Sequence, residues 1–320
     1  MKAFEFVNAQ SLESAPQLAG RDGKYLAGGI DLLGEMKDYI VSPSRVVNVK
    51  TIPGLDQLAT GEGMLSVGAN VTLARLAANE AVIQGWPALA EAASEVGSPQ
   101  IRAVATVGGN LAQHSRCWYY RQRDLTCLKR GGNMCYGREG QNKYLSIFTG
   151  NPCISPAVSN LAVALAALDA RVEVKRQGKN QTLTISELYE EAWNNPLRHN
   201  SLAPGDLITR ITVPPAAGKS TYLQMSEKSD FDWALVSCAV AGNVGDGKIS
   251  GVRIVLGSVA PVPLVCDEAA AALEGRPLDD KTASAAANLA LAKATPFAHN
   301  GYKVPIARAL IRRALMKLTA

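Results

Sequence analysis

Histidine is scarce in this chain, long apolar runs are missing, and each shortage closes a route. Only His114, His199 and His299 occur, no HExxH zinc helix can be written, and no Ser–His–Asp set stands out. A hydrolase or a histidine-built metalloenzyme is therefore disfavoured. No G-x-G-x-x-G follows a strand-like run and there is no Walker A pattern, so the usual dinucleotide and nucleoside-triphosphate signatures are missing; a dinucleotide bound here needs a different fold. No apolar stretch approaches the ~18 residues that cross a bilayer. The start, Met1-Lys2-Ala3-Phe4-Glu5-Phe6-Val7, has no apolar signal core, and Glu5 would interrupt one. Six cysteines in 320 residues are too sparse for a secreted disulfide scaffold, so a reducing, cytoplasmic site of synthesis is expected.

The cysteines that are present are unevenly placed. Cys117, Cys127, Cys135 and Cys153 fall close together, separated by 9, 7 and 17 residues. Thiolates are soft ligands, and four complete a shell around zinc or an iron–sulfur cluster. The gaps match neither zinc-ribbon CxxC pairs nor the bacterial ferredoxin run, so a loop must fold around any such site. Cluster, structural zinc and unrelated buried thiols all remain open on spacing alone. Cys238 and Cys266 sit in apolar stretches and read as inert core thiols.

Charge concentrates on the same loop. From Arg116 to Lys143 there are seven basic residues against Asp124 and Glu139, and 7 − 2 = +5 equals the net charge of the whole chain. With Trp118, Tyr119, Tyr120 and Tyr136 interleaved, the loop has the ingredients of a nucleic-acid patch. Cysteines rather than periodic basic residues punctuate it, however, and nucleic acid is not expected as a partner. Local positive charge would stabilise the reduced form of an anionic cluster; a solvated basic face meeting an acidic subunit is the plainer alternative.

A hydrophobic content of 47% with 19% charged residues describes a globular chain, and the length suggests about two domains. Strands are read at residues 4–7, 24–27, 45–49, 64–68 and 170–175. Helices are read at 11–19 (Ser11 as N-cap), 30–36, 88–96 after Pro87, and from Ser155-Pro156 to Leu168. A boundary is expected near Pro214-Pro215-Ala216-Ala217-Gly218. Beyond it come strands at 235–244 and 249–259, helices at 267–273 and 280–294, and a basic amphipathic helix at 305–318.

Two glycine turns invite a chemical reading. In Leu26-Ala27-Gly28-Gly29-Ile30-Asp31-Leu32-Leu33 a strand passes through two glycines into a helix, and such a turn can present backbone N–H groups to an anion. Thr106-Val107-Gly108-Gly109-Asn110 offers the same, plus a hydroxyl and an amide. Either could equally be only a tight connection.

These segments carry a resemblance. Ala27 to Leu33, Val67-Gly68-Ala69-Asn70-Val71-Thr72, Gln100 to Leu111, Arg116-Cys117 with the loop cysteines, Leu168-Asp169-Ala170, and Phe231-Asp232-Trp233-Ala234-Leu235-Val236-Ser237 occur in the family's order. The chain resembles, over nearly its full length, the FAD-binding medium subunit of the molybdenum hydroxylases (the xanthine dehydrogenase and carbon monoxide dehydrogenase family). More narrowly, it resembles the branch with an extra [4Fe–4S] cluster, such as 4-hydroxybenzoyl-CoA reductase and bacterial three-subunit aldehyde oxidoreductases.

The resemblance implies a mixed α+β / α/β fold. A two-lobed FAD-binding domain of the vanillyl-alcohol-oxidase (PCMH) type would span 1–217, with the iron–sulfur loop at 116–153. A CO dehydrogenase flavoprotein-like α/β domain would span 218–320. It implies FAD, with the pyrophosphate on Ala27, Gly28, Gly29, Ile30, Asp31, Leu32 and Leu33, further contacts at Thr106, Gly109, Asn110 and Asn160, and Lys228 nearby. It implies a [4Fe–4S] cluster on Cys117, Cys127, Cys135 and Cys153. The implied partners are a large molybdenum-cofactor subunit and a small subunit with two [2Fe–2S] clusters, in a heterotrimer that can dimerise, without membrane span. Electrons would pass through FAD to or from a terminal acceptor. The complex would be cytoplasmic, or periplasmic if exported by a partner's signal. Two departures stand out: Ile30 replaces a hydroxyl residue, and Asn160 replaces an aspartate in Ser159-Asn160-Leu161. The alternatives are a stand-alone flavin oxidoreductase stapled by zinc, and a flavin-free scaffold subunit.

Overall fold

The computed structural model describes residues 1–215 and 217–319; Ala216, inside the expected boundary, and Ala320 lie outside the described residues. Three short strands open the chain: β1 (Glu5–Asn8), β2 (Lys24–Leu26) and β3 (Arg45–Asn48), all parallel, in the order β1-β3-β2. Parallel neighbours need crossovers, and the helices Ser14–Ala19 and Leu32–Lys37 lie in those connections. Ala9, Ala15, Val47, Val49, Ile52 and Leu55 fill the small core of this lobe. Ser11 is not the N-cap. The helix starts three residues later behind Glu13, and Ser11 instead exchanges hydrogen bonds with Ser14, its Oγ accepting from Ser14 N–H at 3.1 Å.

The second lobe is an antiparallel sheet of β4 (Leu58–Gly61), β5 (Met64–Gly68), β6 (Arg171–Arg176), β7 (Lys179–Thr184) and β8 (Leu207–Val213), in the order β4-β5-β8-β6-β7. β6 shows the expected alternation, with Val172 and Val174 buried between half-buried Arg171, Glu173 and Lys175. The centre of the sheet is β8, which joins segments more than a hundred residues apart.

In the carboxy-terminal part, β9 (Lys219–Met225), β10 (Val236–Gly245), β11 (Lys248–Gly257) and β12 (Leu264–Val265) form a second antiparallel sheet, β12-β11-β10-β9. The helix Lys303–Lys317 packs on it through Ala307, Ile311, Ala314 and Leu315, the spacing of one helical face. It begins two residues before the expected Pro305, because proline is tolerated in a first turn.

The two larger parts share a core. The helix Asn160–Ala167 is buried at every position and packs on β10, β11 and the helix Pro87–Ser94. A helix apolar on all sides belongs inside. β11 comes so close that a Cβ on Gly257 would lie 2.5 Å from Val163 Cγ2. The helix starts later than the expected Ser155-Pro156. Ser155 Oγ pairs with Ser115 Oγ instead of capping, and Ser159 caps, accepting from Ala162 N–H at 3.1 Å. Among the described residues, no helix is long and apolar enough to cross a membrane.

Candidate functional site

A cleft of ≈ 660 Å³ opens between the two lobes, with a loop from the carboxy-terminal part at its edge. Ala27, Gly28, Gly29, Ile30, Asp31 and Leu32 line it. The turn is possible only with glycine at its start: a Cβ on Gly28 would meet Val104 O at 2.1 Å, and Gly29 has φ +75°. The N–H groups of residues 28–32 donate to no backbone or side-chain acceptor among the described residues, while Leu33 N–H bonds back to Gly29 O at 3.1 Å. The result is a row of free donors facing the cleft, which suits an anion. Leu33 itself turns away and packs against Gly29.

The second glycine turn differs from its expected chemistry. Val107, Gly108, Gly109 and Asn110 N–H are already bound, to Val71 O, Ala69 O, Thr106 Oγ1 and Thr106 O. Thr106 is a helix cap, not a free hydroxyl, and Asn110 Oδ1 accepts from Ser159 Oγ at 2.6 Å. What Thr106, Gly109 and Asn110 present to the cleft is a smooth wall without projecting donors from the backbone. Asn160 also lines the cleft, its Nδ2 donating to Tyr222 Oη at 2.9 Å and Gln224 Oε1 at 2.8 Å. An aspartate there could not donate these bonds. Lys228 is exposed and outside the lining; from its loop, Phe231, Asp232 and Trp233 reach the cleft instead.

Sequence reasoning missed a polar network at one end of the cleft. Asp31 accepts from His114 N–H and from Arg121 Nη2, both at 2.7 Å, and pairs with Arg116 at 2.9 Å. Glu35, only 2% exposed, meets His114 Nδ1 at 3.0 Å, accepts from Tyr120 Oη at 2.8 Å, and lies 3.5 Å from Arg121. Burial alone would raise the Glu35 pKa, but His114, Arg121 and Tyr120 together hold it below the usual carboxylate value. The His114 and His199 rings stack at 4.1 Å. His199 Nδ1 accepts from Ser115 N–H at 3.1 Å, which requires an unprotonated nitrogen; burial first, then neighbouring cations, keeps that ring neutral. Asp31, Glu35 and His114 are close enough to grip a cation. Arg116 and Arg121 already neutralise the two carboxylates, so this is an internal ion network, not a metal site. Its members lie about 80 residues apart in sequence, and the only local trace is the Arg116-Cys117 pair.

On the far side of that network the four loop cysteines converge. Cys117, Cys127, Cys135 and Cys153 all line one small cavity, with Tyr119, Tyr120 and Lys129. None is in a disulfide. No three of their Sγ atoms lie within 4.8 Å of one another. Burial pushes the Cys117 thiol up to about 12 and raises Cys153 as well, with Lys129 opposing the latter. Cys238 and Cys266 lie in the carboxy-terminal core, as expected.

Two lobes closing on a glycine-edged cleft with free backbone donors, and no Rossmann fingerprint, define a two-lobed anion-binding protein of mixed α/β build. Residues 2–216 match the family model described as the FAD binding domain in molybdopterin dehydrogenase, and 220–318 match the CO dehydrogenase flavoprotein C-terminal domain. The chain is 33% identical to the aldehyde oxidoreductase FAD-binding subunit PaoB of Escherichia coli K12, covering 100% of this chain and 99% of that one. It is 25% identical to the carbon monoxide dehydrogenase medium chain of Hydrogenophaga pseudoflava over 98% of this chain and 96% of that one. A solved structure of carbon monoxide dehydrogenase from that organism superposes with a TM-score of 0.79, covering 99% of this chain and 98% of that one. The chain belongs to the FAD-binding medium subunits of the molybdenum hydroxylase family, and is thus an oxidoreductase subunit.

Proposed function

We propose that this subunit carries a [4Fe–4S] cluster beside its FAD and relays electrons between partner [2Fe–2S] clusters and a terminal acceptor. The partners in this reading are a large molybdenum-cofactor subunit and a small iron–sulfur subunit, in a heterotrimer. When bound, FAD supplies one- and two-electron chemistry and the cluster supplies one-electron transfer. Backbone N–H groups of residues 28–32 would hold the FAD pyrophosphate, with Thr106, Gly109, Asn110 and Asn160 shaping the wall beside it. Ile30 offers no hydroxyl, so the backbone bears the anion contact. Leu33 and Lys228 carry no ligand role in this proposal. The division into a FAD domain at 1–217 and a second domain at 218–320 is part of the same reading.

The observation that carries the cluster is the convergence of the four thiols on one cavity. Cys117, Cys127, Cys135 and Cys153, four soft ligands from a stretch of 37 residues, all line a single cavity and would hold the cluster. The zinc-staple alternative uses the same four thiols, and metal analysis separates the two.

Iron and acid-labile sulfide analysis with reduced-state EPR on the assembled complex tests the proposal, using wild type and Cys127→Ser. About four extra iron atoms per medium subunit are expected, lost in the variant while FAD remains. Equal iron in both, with zinc in wild type, would refute it.

A further inference from the structure

Lys129 stands in an unusual position. It is 7% exposed and, among the described residues, the only charged side chain on the wall of the four-cysteine cavity. Cys117, Cys127, Cys135 and Cys153 share that wall with it. Its one hydrogen bond runs from Nζ to Arg198 O at 2.7 Å. No carboxylate forms an ion pair with it among the described residues.

A buried ammonium with no anion beside it is costly, and proteins rarely keep one without a counter-charge. The only groups here able to supply that charge are the thiols, once deprotonated around a metal centre. Four thiolates give −4; a [4Fe–4S] core of +2 leaves −2, and one-electron reduction leaves −3, with no proton taken up. A cation fixed against the sulfurs therefore gains more from the reduced state than from the oxidised one, and raises the potential.

We propose that Lys129 is the built-in counter-cation of the cysteine centre and a positioning residue that sets its reduction potential. This rests on the cluster reading given above. The bond to Arg198 O and the burial of the side chain hold the ammonium in one place beside the centre. It also ties the centre to the cleft, because the next residue, His199, lines the cleft and stacks on His114. No other charged residue of the basic loop lines the cavity: Arg121 is spent on Asp31, and Arg130 on the carbonyls of Gln122 and Leu125.

The test is an EPR-monitored redox titration of the assembled complex at one fixed pH, on wild type, Lys129→Met and Lys129→Arg, with iron counted in each. Lys129→Met keeps the length and apolar stem; Lys129→Arg keeps a charge that does not titrate. With iron retained, Lys129→Met is expected to lower the reduced-to-oxidised ratio at fixed poise by about tenfold, a shift of about 59 mV for one electron. Lys129→Arg should stay near wild type. Loss of iron from Lys129→Met but not from Lys129→Arg also supports the proposal, since the charge is then needed to hold the anionic centre. A full-iron Lys129→Met with a wild-type midpoint overturns it, as does equal iron loss from both variants, which marks a packing role. Wild type without iron and labile sulfide sinks the cluster reading itself and this inference with it.

Discussion

Gly28→Ala puts the cleft to its most direct trial. The added Cβ would sit 2.1 Å from Val104 O, 2.8 Å from Val104 C and 2.9 Å from Ala105 Cα, all backbone atoms that no rotamer change can move. Ordinary contact begins near 3.4 Å, so the turn must retreat by 3.4 − 2.1 = 1.3 Å. A hydrogen bond lengthened that much is lost. A bond to a charged acceptor contributes about 1.5–3 kcal/mol, so losing one or two of the N–H contacts from residues 28–32 costs about 3 kcal/mol. FAD should then bind about 100-fold more weakly. Equilibrium dialysis of purified protein against falling FAD concentrations reads this directly. Gly34→Ala is the control, because a Cβ there meets nothing within 4 Å; it should bind as wild type does. If Gly28→Ala holds FAD within threefold of wild type, the glycine turn is not the anion cradle.

Two further outcomes are expected. Ser159→Ala removes the cap on Ala162 N–H and the bond to Asn110 Oδ1; the lost cap alone costs about 1 kcal/mol, and the denaturation midpoint should fall with no loss of secondary structure by circular dichroism. Lys303 is fully buried, donating to Ser258 O at 2.9 Å and Tyr144 O at 3.2 Å, and burial lowers its pKa to about 7. Between about 7 and its ordinary value of 10.5 the unfolded chain binds a proton that the folded chain does not. Stability should therefore rise with pH across that window and flatten in Lys303→Met. Equal slopes in urea unfolding at pH 7 and pH 10 for the two proteins would show that Lys303 stays charged when folded.

What could be read from the sequence was what is local. Gly28-Gly29 after a strand, the alternation of Val172 and Val174, and the close run of cysteines each declare themselves within a few residues. The start of the helix at Asn160 was misplaced because serine and proline at 155–156 look like a good beginning; the Ser155 hydroxyl is instead taken up by Ser115, a partner 40 residues away that local sequence does not reveal. The same limit hid β8, whose partners β5 and β6 lie on either side of the cysteine loop in sequence. It also hid the Asp31–Glu35–His114–Arg121 network, which needs two distant segments to meet before any of its residues looks unusual. The loop that carries Lys228 does reach the cleft, and Phe231, Asp232 and Trp233 are the residues of it that line the wall.

The way the cysteine loop is fastened has a consequence for the order of events during synthesis. Its later half is held by residues near the end of the chain: Ile147 N–H by Val259 O, Leu145 O and Ser146 O by Asn300 Nδ2, and Tyr144 O by Lys303 Nζ. Cys153 follows within this clamped stretch. A nascent chain that has emerged only as far as Cys153 thus lacks the contacts that hold this stretch. The last of these bonds must wait for some 150 further residues (303 − 153 = 150), so a truncated chain ending before Asn300 would carry every cysteine and lack the Asn300 and Lys303 clamps.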